Sequence, residues 1–191
     1  MRLPNPISSG LRALRLRTLG AGSVSSLLNV ALMVAFWLMI VLTAGAVALF
    51  IAVIFIPMGP LGLTVTSDAG GTQIPVPKAY VLFGIGAFAG YFGGFALILR
   101  HLRRIFHTLT LGDPFHPDNV SRLKQIGLIL AVVTGGAWTG QMLVSRLARG
   151  ALDTPSIFDL ATPAFSVLIV FVLAEVFREG ARLRRESELT I

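Results

Sequence analysis

Long apolar stretches dominate the sequence and predict helices that cross a membrane. Four spans are predicted, at about residues 27–56, 79–99, 127–144 and 163–177. A helix of ~20 apolar residues is enough to cross the ~30 Å hydrocarbon core of a bilayer. The fourth stretch is shorter than that, so we expect its helix to continue into the charged residues behind it. The pattern predicts an all-α fold, an integral membrane four-helix bundle.

The segments between the spans are rich in charged residues and in residues that end helices. Residues 57–77 contain four prolines and several glycines, which is typical of a water-exposed loop. Residues 100–126 instead carry an amphipathic pattern on both sides of Gly112 and Pro114, a combination that ends helices. We therefore expect amphipathic helical extensions of the second and third spans, joined by a turn.

The predicted membrane domain, residues 24–177, is flanked by a basic arm at 1–23 and a charged tail at 178–191. A cleaved signal peptide is the alternative for the first span, because arginines precede it and Ala44, Gly45 and Ala46 resemble a cleavage site. Apolar sequence continues beyond that point to Ile56, which favours an uncleaved span.

The distribution of basic residues predicts the orientation of the chain. There are 16 Lys and Arg against 9 Asp and Glu. Thirteen of the 16 lie in the arm, in residues 100–126 and in the tail, whereas the other two connections hold three. Since Lys and Arg accumulate in cytoplasmic segments, both termini and the loop 100–126 are expected in the cytoplasm.

Composition and motifs exclude several kinds of chemistry. The chain has no cysteine, so disulfides, thiolate metal sites and cysteine nucleophiles are excluded. Zinc-protease, phosphate-loop and nucleophile-elbow motifs do not occur. His101, His107 and His116 lie near Asp113 and Asp118, but with no recognised metal-ligand spacing. We expect no enzymatic activity, no cofactor and no metal site.

Glycines in the second and third spans predict close helix packing. Gly86, Gly90 and Gly94 recur every four residues, and Gly136 and Gly140 repeat that spacing in the third span. Small residues at this spacing let a neighbouring helix approach closely. The partner face is either within the same chain or in a second copy, so a homo-oligomer is one of the expectations.

Polar residues within the spans are few. Glu175 lies three residues before Arg178, a spacing that favours an ion pair over a ligand site. Thr134, Thr139 and Gln141 in the third span either line a small cavity or make hydrogen bonds between helices.

The predicted cytoplasmic segments combine arginines with apolar stripes. Candidate residues for docking a partner or anionic lipid headgroups are Arg103, Arg104, Phe106, Asn119, Arg122, Glu175, Arg178 and Leu183. The stripes comprise Leu102, Ile105, Phe106 and Leu109; Val120, Leu123 and Ile126; Val176, Phe177, Gly180 and Leu183. They could pack on one another, lie on the bilayer or hold another protein. Arginines beneath the inner leaflet attract anionic headgroups in any of these cases.

Two blocks of sequence, residues 102–127 and 173–191, carry a family resemblance. Their specific residues are Gly112, Pro114, Phe115, Asn119, Arg122, Leu123 and Ile126, and Glu175, Phe177, Gly180, Leu183, Glu186, Glu188, Leu189 and Thr190. With these residues the chain resembles the bacterial four-span membrane proteins called domain of unknown function twenty-nine seventy-five. His116 and Pro117 stand where more acidic residues are expected, which predicts a different cap for the following helix.

The resemblance implies a bacterial inner-membrane protein with no assigned activity. Genes of this family often lie beside one for a Cro-like helix-turn-helix regulator, which associates the family with such a partner but shows no contact. We therefore expect a membrane-anchored interaction or regulatory module that binds no nucleic acid itself. A small oligomeric transporter or channel is the alternative, although the spans hold few of the ionisable groups that such proteins use. A membrane enzyme ranks third.

Overall fold

Four long helices account for most of the described chain. The computed structural model describes residues 21–56, 64–66, 73–147 and 154–188. The helices are α1 (Ala21–Phe55), α2 (Lys78–Thr110), α3 (Pro117–Leu147) and α4 (Ala161–Glu188). The first 20 residues of the predicted basic arm and the last three of the tail lie outside the described residues.

Each helix is long and apolar enough to cross a membrane. Their lengths are 35, 33, 31 and 28 residues, more than the ~20 that a bilayer core requires. The prediction of an all-α protein with four helices long and apolar enough to cross a membrane is therefore confirmed. The extra length is enough for the charged helix ends to extend beyond a hydrocarbon core of this thickness.

Most large apolar side chains point outward. Leu27, Phe88 and Phe165 expose 71%, 62% and 63% of their surface. The buried apolar residues are Leu32, Val53, Ala96, Ile105, Leu123, Ile126, Ala174 and Ala181. Because lipid tails are as apolar as leucine, a membrane bundle gains nothing from hiding such side chains from them. This outward apolar surface is what a lipid environment demands.

The helices pack in the order of the chain, α1 against α2, α2 against α3 and α3 against α4. Neighbours run antiparallel, so two distinct ends result. At one end the last turns of α2, the turn at residues 111–116, the first turns of α3 and the last turns of α4 lie together. We call this the charged end. The opposite end is called the hairpin end.

The hairpin end contains two short strands within the connection that the sequence predicted only as a loop. The strands β1 (Thr64–Thr66) and β2 (Gln73–Pro75) pair antiparallel, with Val65 opposite Ile74. Nearby, the Lys78 ammonium donates hydrogen bonds to the carbonyl oxygens of Ile54 at 2.8 Å and Ile56 at 3.1 Å. Lys78 thus satisfies carbonyls that the end of α1 leaves without a helical partner.

The turn from α2 to α3 ends the first helix as its sequence predicted. Gly112 has a φ of 81°, a left-handed conformation that glycine adopts without strain. Its N–H donates to the Leu109 carbonyl, and the Asp113 N–H donates to that of Thr108, both at 3.1 Å. This is the Schellman pattern, in which a glycine just beyond a helix closes it.

The connection before α4 is held by a capping box. A 3₁₀ helix, Ile157–Leu160, begins after Ser156, whose hydroxyl accepts from the Phe158 N–H. The Asp159 carboxylate accepts in turn from the Ser156 N–H at 2.8 Å. The Trp138 indole donates to the Ser156 carbonyl at 3.1 Å, which ties this connection to α3.

Candidate functional site at the charged end

A small apolar core joins three helices at the charged end. Ile105 of α2, Leu123 and Ile126 of α3, and Ala174 of α4 are buried together. Ile98, Val170 and Phe177 pack around them. The apolar stripes of the two sequence blocks therefore pack partly on one another. This contact joins the two blocks that are far apart in the chain.

Asn119 is the fully buried polar residue of this end, with 0% exposure. Its amide nitrogen donates to the Thr108 hydroxyl at 2.7 Å and to the Pro114 carbonyl at 3.1 Å. The Thr108 hydroxyl donates onward to the Ile105 carbonyl at 2.7 Å. Asn119, a predicted docking residue, thus lies inside the turn and holds it closed, and its contribution to any docking would be indirect.

Arg122 continues this network towards the surface. Its Nη1 donates to the Asn119 side-chain oxygen at 3.0 Å and to the Arg104 carbonyl at 3.4 Å. Its Nη2 donates to the Asp118 carboxylate at 3.2 Å. The guanidinium therefore bridges α2 and α3. Since both of its terminal nitrogens donate to the protein, Arg122 serves chiefly to fix the turn.

The cap of α3 is formed by His116. Its Nδ1 accepts a hydrogen bond from the Asp118 N–H at 3.2 Å, and its carbonyl accepts from the Asn119 N–H at 2.9 Å. Pro117 is the first helical residue, where its missing N–H costs nothing. The histidine ring thus performs the task that an acidic or hydroxyl side chain performs in most helix caps.

The turn is clamped to α4 by a ring contact and an ion pair. The centroids of the Phe115 and Phe177 rings lie 5.7 Å apart. The Phe115 ring also lies directly on Gly180. Arg184 pairs with Asp113, a residue 71 positions away in the sequence. This pair was not predicted from the sequence, because nothing local to either residue signals it.

Apart from its contacts with the turn, α4 carries a series of ion pairs along its own surface. Glu175 pairs with Arg178, as their spacing predicted. Arg182 lies 2.9 Å from Glu179 and 3.3 Å from Glu186. Val176 and Leu183 remain exposed among these charges, at 56% and 54%. The end of α4 therefore presents apolar side chains within a charged surface.

A groove of about 500 Å³ lies between α1 and α2 at the charged end. It is lined by Asn29, Phe36, Arg100, Arg103, Arg104, Phe106, His107 and Thr110. The Arg103 guanidinium lies 5.2 Å from the centroid of the Phe36 ring. Arg103, Arg104 and Phe106, three predicted docking residues, thus share one concave surface.

The glycines of α2 contact different helices. A Cβ at Gly86 would lie 3.5 Å from the Phe50 ring of α1, whereas Gly94 faces Val133 of α3. At Gly90 a Cβ would meet no atom within 4 Å. Two of the three predicted packing glycines therefore lie at contacts between helices.

The glycines of α3 also differ from one another. A Cβ at Gly140 would lie 3.8 Å from the Phe83 ring of α2, and one at Gly136 would meet no atom within 4 Å.

The threonine hydroxyls of the third predicted span bond within their own helix. The Thr134 and Thr139 hydroxyls donate to carbonyls of α3, Leu130 at 2.7 Å and Gly135 at 2.8 Å. Gln141 is exposed.

The histidines and aspartates of the turn have other partners. Asp113 and Asp118 pair with arginines, and His116 caps α3. His101 Nδ1 is buried and makes no hydrogen bond to a described residue. Within residues 21–56, 64–66, 73–147 and 154–188, no group of three or more His, Asp and Glu is placed to hold a metal ion.

Comparison with known proteins connects this end of the molecule to a family. No curated protein and no solved structure matches the chain. A family profile described as "Protein of unknown function (DUF2975)" matches residues 64–191. That region includes α2, α3, α4 and the whole clamp between Asp113 and Arg184, and it leaves α1 outside. The protein is a membrane protein of the DUF2975 family.

Proposed function

We propose that the protein is a membrane-anchored regulatory module whose charged end docks a soluble cytoplasmic protein. In this proposal it lies in the bacterial inner membrane, with both termini and the turn at residues 111–116 in the cytoplasm. The excess of basic residues at the charged end supports this orientation. Beneath an anionic leaflet these residues are favourably placed.

The exposed apolar side chains at the end of α4 carry the proposal. Phe177 and Gly180 are covered by Phe115, whereas Leu183, beyond the predicted span, and Val176, at its inner edge, remain more than half exposed. Exposed apolar residues surrounded by ion pairs are typical of surfaces that bind another protein. The pairs at Glu175, Arg178 and Arg182 would then contribute selectivity.

The rigid attachment of α4 supports a docking role. Asp113, Phe115 and Arg184 hold the end of this helix against the turn, and Asn119 holds the turn itself. A surface that is ordered before binding loses less conformational entropy when a partner arrives. The choice of a helix-turn-helix regulator as the partner rests on the gene neighbourhood that the family resemblance implies.

Photocrosslinking in living cells tests the proposal. A photoreactive residue at Leu183 is expected to yield an adduct with a soluble protein that mass spectrometry identifies as a helix-turn-helix regulator. The matched control is the same photoreactive residue at Phe165, which is similarly exposed but lies towards the hairpin end. Adducts from position 183 that contain only lipid or further copies of this chain would contradict the proposal.

A further inference from the structure

The groove between α1 and α2 is positively charged, and no described carboxylate pairs with its arginines. We infer that it binds the headgroup of an anionic phospholipid, whose phosphate is held by Arg100, Arg103 and Arg104. This site is separate from the exposed face of α4 and does not depend on the docking of a soluble partner.

The positive charge of the groove has no counter-charge among the described residues. Within the described ranges, neither Arg100, Arg103 nor Arg104 forms an ion pair, whereas the arginines at 122, 178, 182 and 184 each pair with a carboxylate. The groove lining contains no acidic residue. The 20 residues before α1 carry four arginines and no acid, so they bring no compensating charge. An occupant of the groove therefore has to be anionic.

The Arg103 side chain is held in place across the groove by a second helix. Its guanidinium reaches from α2 to the Phe36 ring of α1, 5.2 Å from the centroid. A cation held over an aromatic face loses less freedom when it binds an anion. Guanidinium groups also match phosphate oxygens with paired N–H donors. The groove thus contains a guanidinium that is already held in place for binding a phosphate group.

The apolar surroundings of the groove favour a lipid over a soluble anion. One wall of the groove belongs to α1, the most apolar of the four helices. Met33 and Trp37, next to Phe36 on the helix surface, expose 49% and 55% of their side chains. Cationic groups beside an exposed apolar helix match the headgroup and acyl chains of one lipid molecule. A free phosphate would contact only the cationic groups and would leave the apolar helix surface uncovered.

The test compares two lipids on the full-length protein. Wild-type protein is reconstituted in vesicles of equal parts phosphatidylglycerol and phosphatidylcholine, extracted in mild detergent, and analysed by native mass spectrometry. Since each arginine near a headgroup contributes about fivefold in affinity, we expect retained phosphatidylglycerol to exceed phosphatidylcholine by roughly tenfold or more. Equal retention of the two lipids would overturn the inference without requiring any variant.

A pair of variants locates the site. The double substitution Arg103→Gln and Arg104→Gln is expected to remove most of the preference for phosphatidylglycerol, leaving only the part that Arg100 contributes. The control, Lys124→Gln with Arg185→Gln, removes the same charge from exposed positions outside the groove and is expected to retain the preference. Equal loss in both variants would show unspecific attraction to the charged end and would overturn the assignment.

Two further outcomes identify a different occupant. If millimolar inorganic phosphate displaces the bound phosphatidylglycerol, the groove is a site for a soluble anion and the lipid assignment is wrong. If a polyglutamate peptide displaces it while inorganic phosphate does not, the groove is a docking site for an acidic peptide. Retention of the lipid in both competitions supports the inference.

Discussion

The Phe115 ring lies so close to Gly180 that a Cβ at position 180 would lie 2.5 Å from two ring carbons. Phe115 belongs to the turn between α2 and α3, and Gly180 belongs to α4. The contact therefore fixes how α4 meets the turn. Both residues belong to the blocks that carry the family resemblance, so this contact gives part of that resemblance a structural reason.

Gly180→Ala is expected to destabilise the protein by ~1–3 kcal/mol, because the ring must move or α4 must shift to admit the methyl group. The measurement is the free energy of unfolding in mixed micelles, followed by circular dichroism. Adding Phe115→Leu is expected to recover part of the loss, since a smaller side chain leaves room for the methyl group.

Gly135→Ala is the control for that substitution. A Cβ there would meet no atom within 4 Å, and alanine favours a helix over glycine by ~0.5–1 kcal/mol. We therefore expect no loss of stability. Equal stability of the 180 and 135 variants would contradict the close contact at Gly180.

Asn119→Ala is expected to cost ~1–3 kcal/mol, because loss of the buried Asn119 amide removes a hydrogen-bond partner from the partly buried Pro114 carbonyl and Arg122 guanidinium. The local readout is hydrogen exchange at the Asp113 amide, which donates to the Thr108 carbonyl within the same turn. This exchange is expected to accelerate. Gln125→Ala, at an exposed position of the same helix, is expected to change neither quantity.

Gly94→Ala is expected to weaken the packing of α2 on α3, because a Cβ at this buried position would clash with the Val133 side chain. Gly90→Ala introduces the same methyl group one turn earlier, where no atom lies within 4 Å. Thermal unfolding in detergent is expected to show a lower Tm for the first variant alone. A lower Tm for Gly90→Ala would instead indicate that a second copy of the chain covers this face.

The proposed orientation can be measured directly, because the chain contains no cysteine. Ser121→Cys places a thiol at an exposed position of the charged end, and Thr154→Cys places one in the connection at the other end. In intact cells a membrane-impermeant maleimide is expected to label position 154 and to label position 121 only after permeabilisation. The reverse pattern would place the charged end outside the cell.

The sequence alone determined the four helices and the turn at the charged end. Hydropathy along a stretch of ~20 residues is a property of that stretch, and it is sufficient to indicate a span. The turn chemistry of Gly112 and Pro117 is equally local, since each acts on its own backbone. The pair of Glu175 with Arg178 follows from helix spacing.

Only the tertiary structure decided what each helix face contacts. An apolar stripe does not reveal whether protein or lipid covers it, because both are apolar. Asn119 is buried, the Phe115 ring lies on Gly180, and Asp113 pairs with Arg184. All three contacts result from the way the helices pack. The groove beside Arg103 likewise needs Phe36 from another helix. These contacts depend on the rotation of each helix about its axis, which side-chain packing between helices sets and hydrophobic periodicity does not.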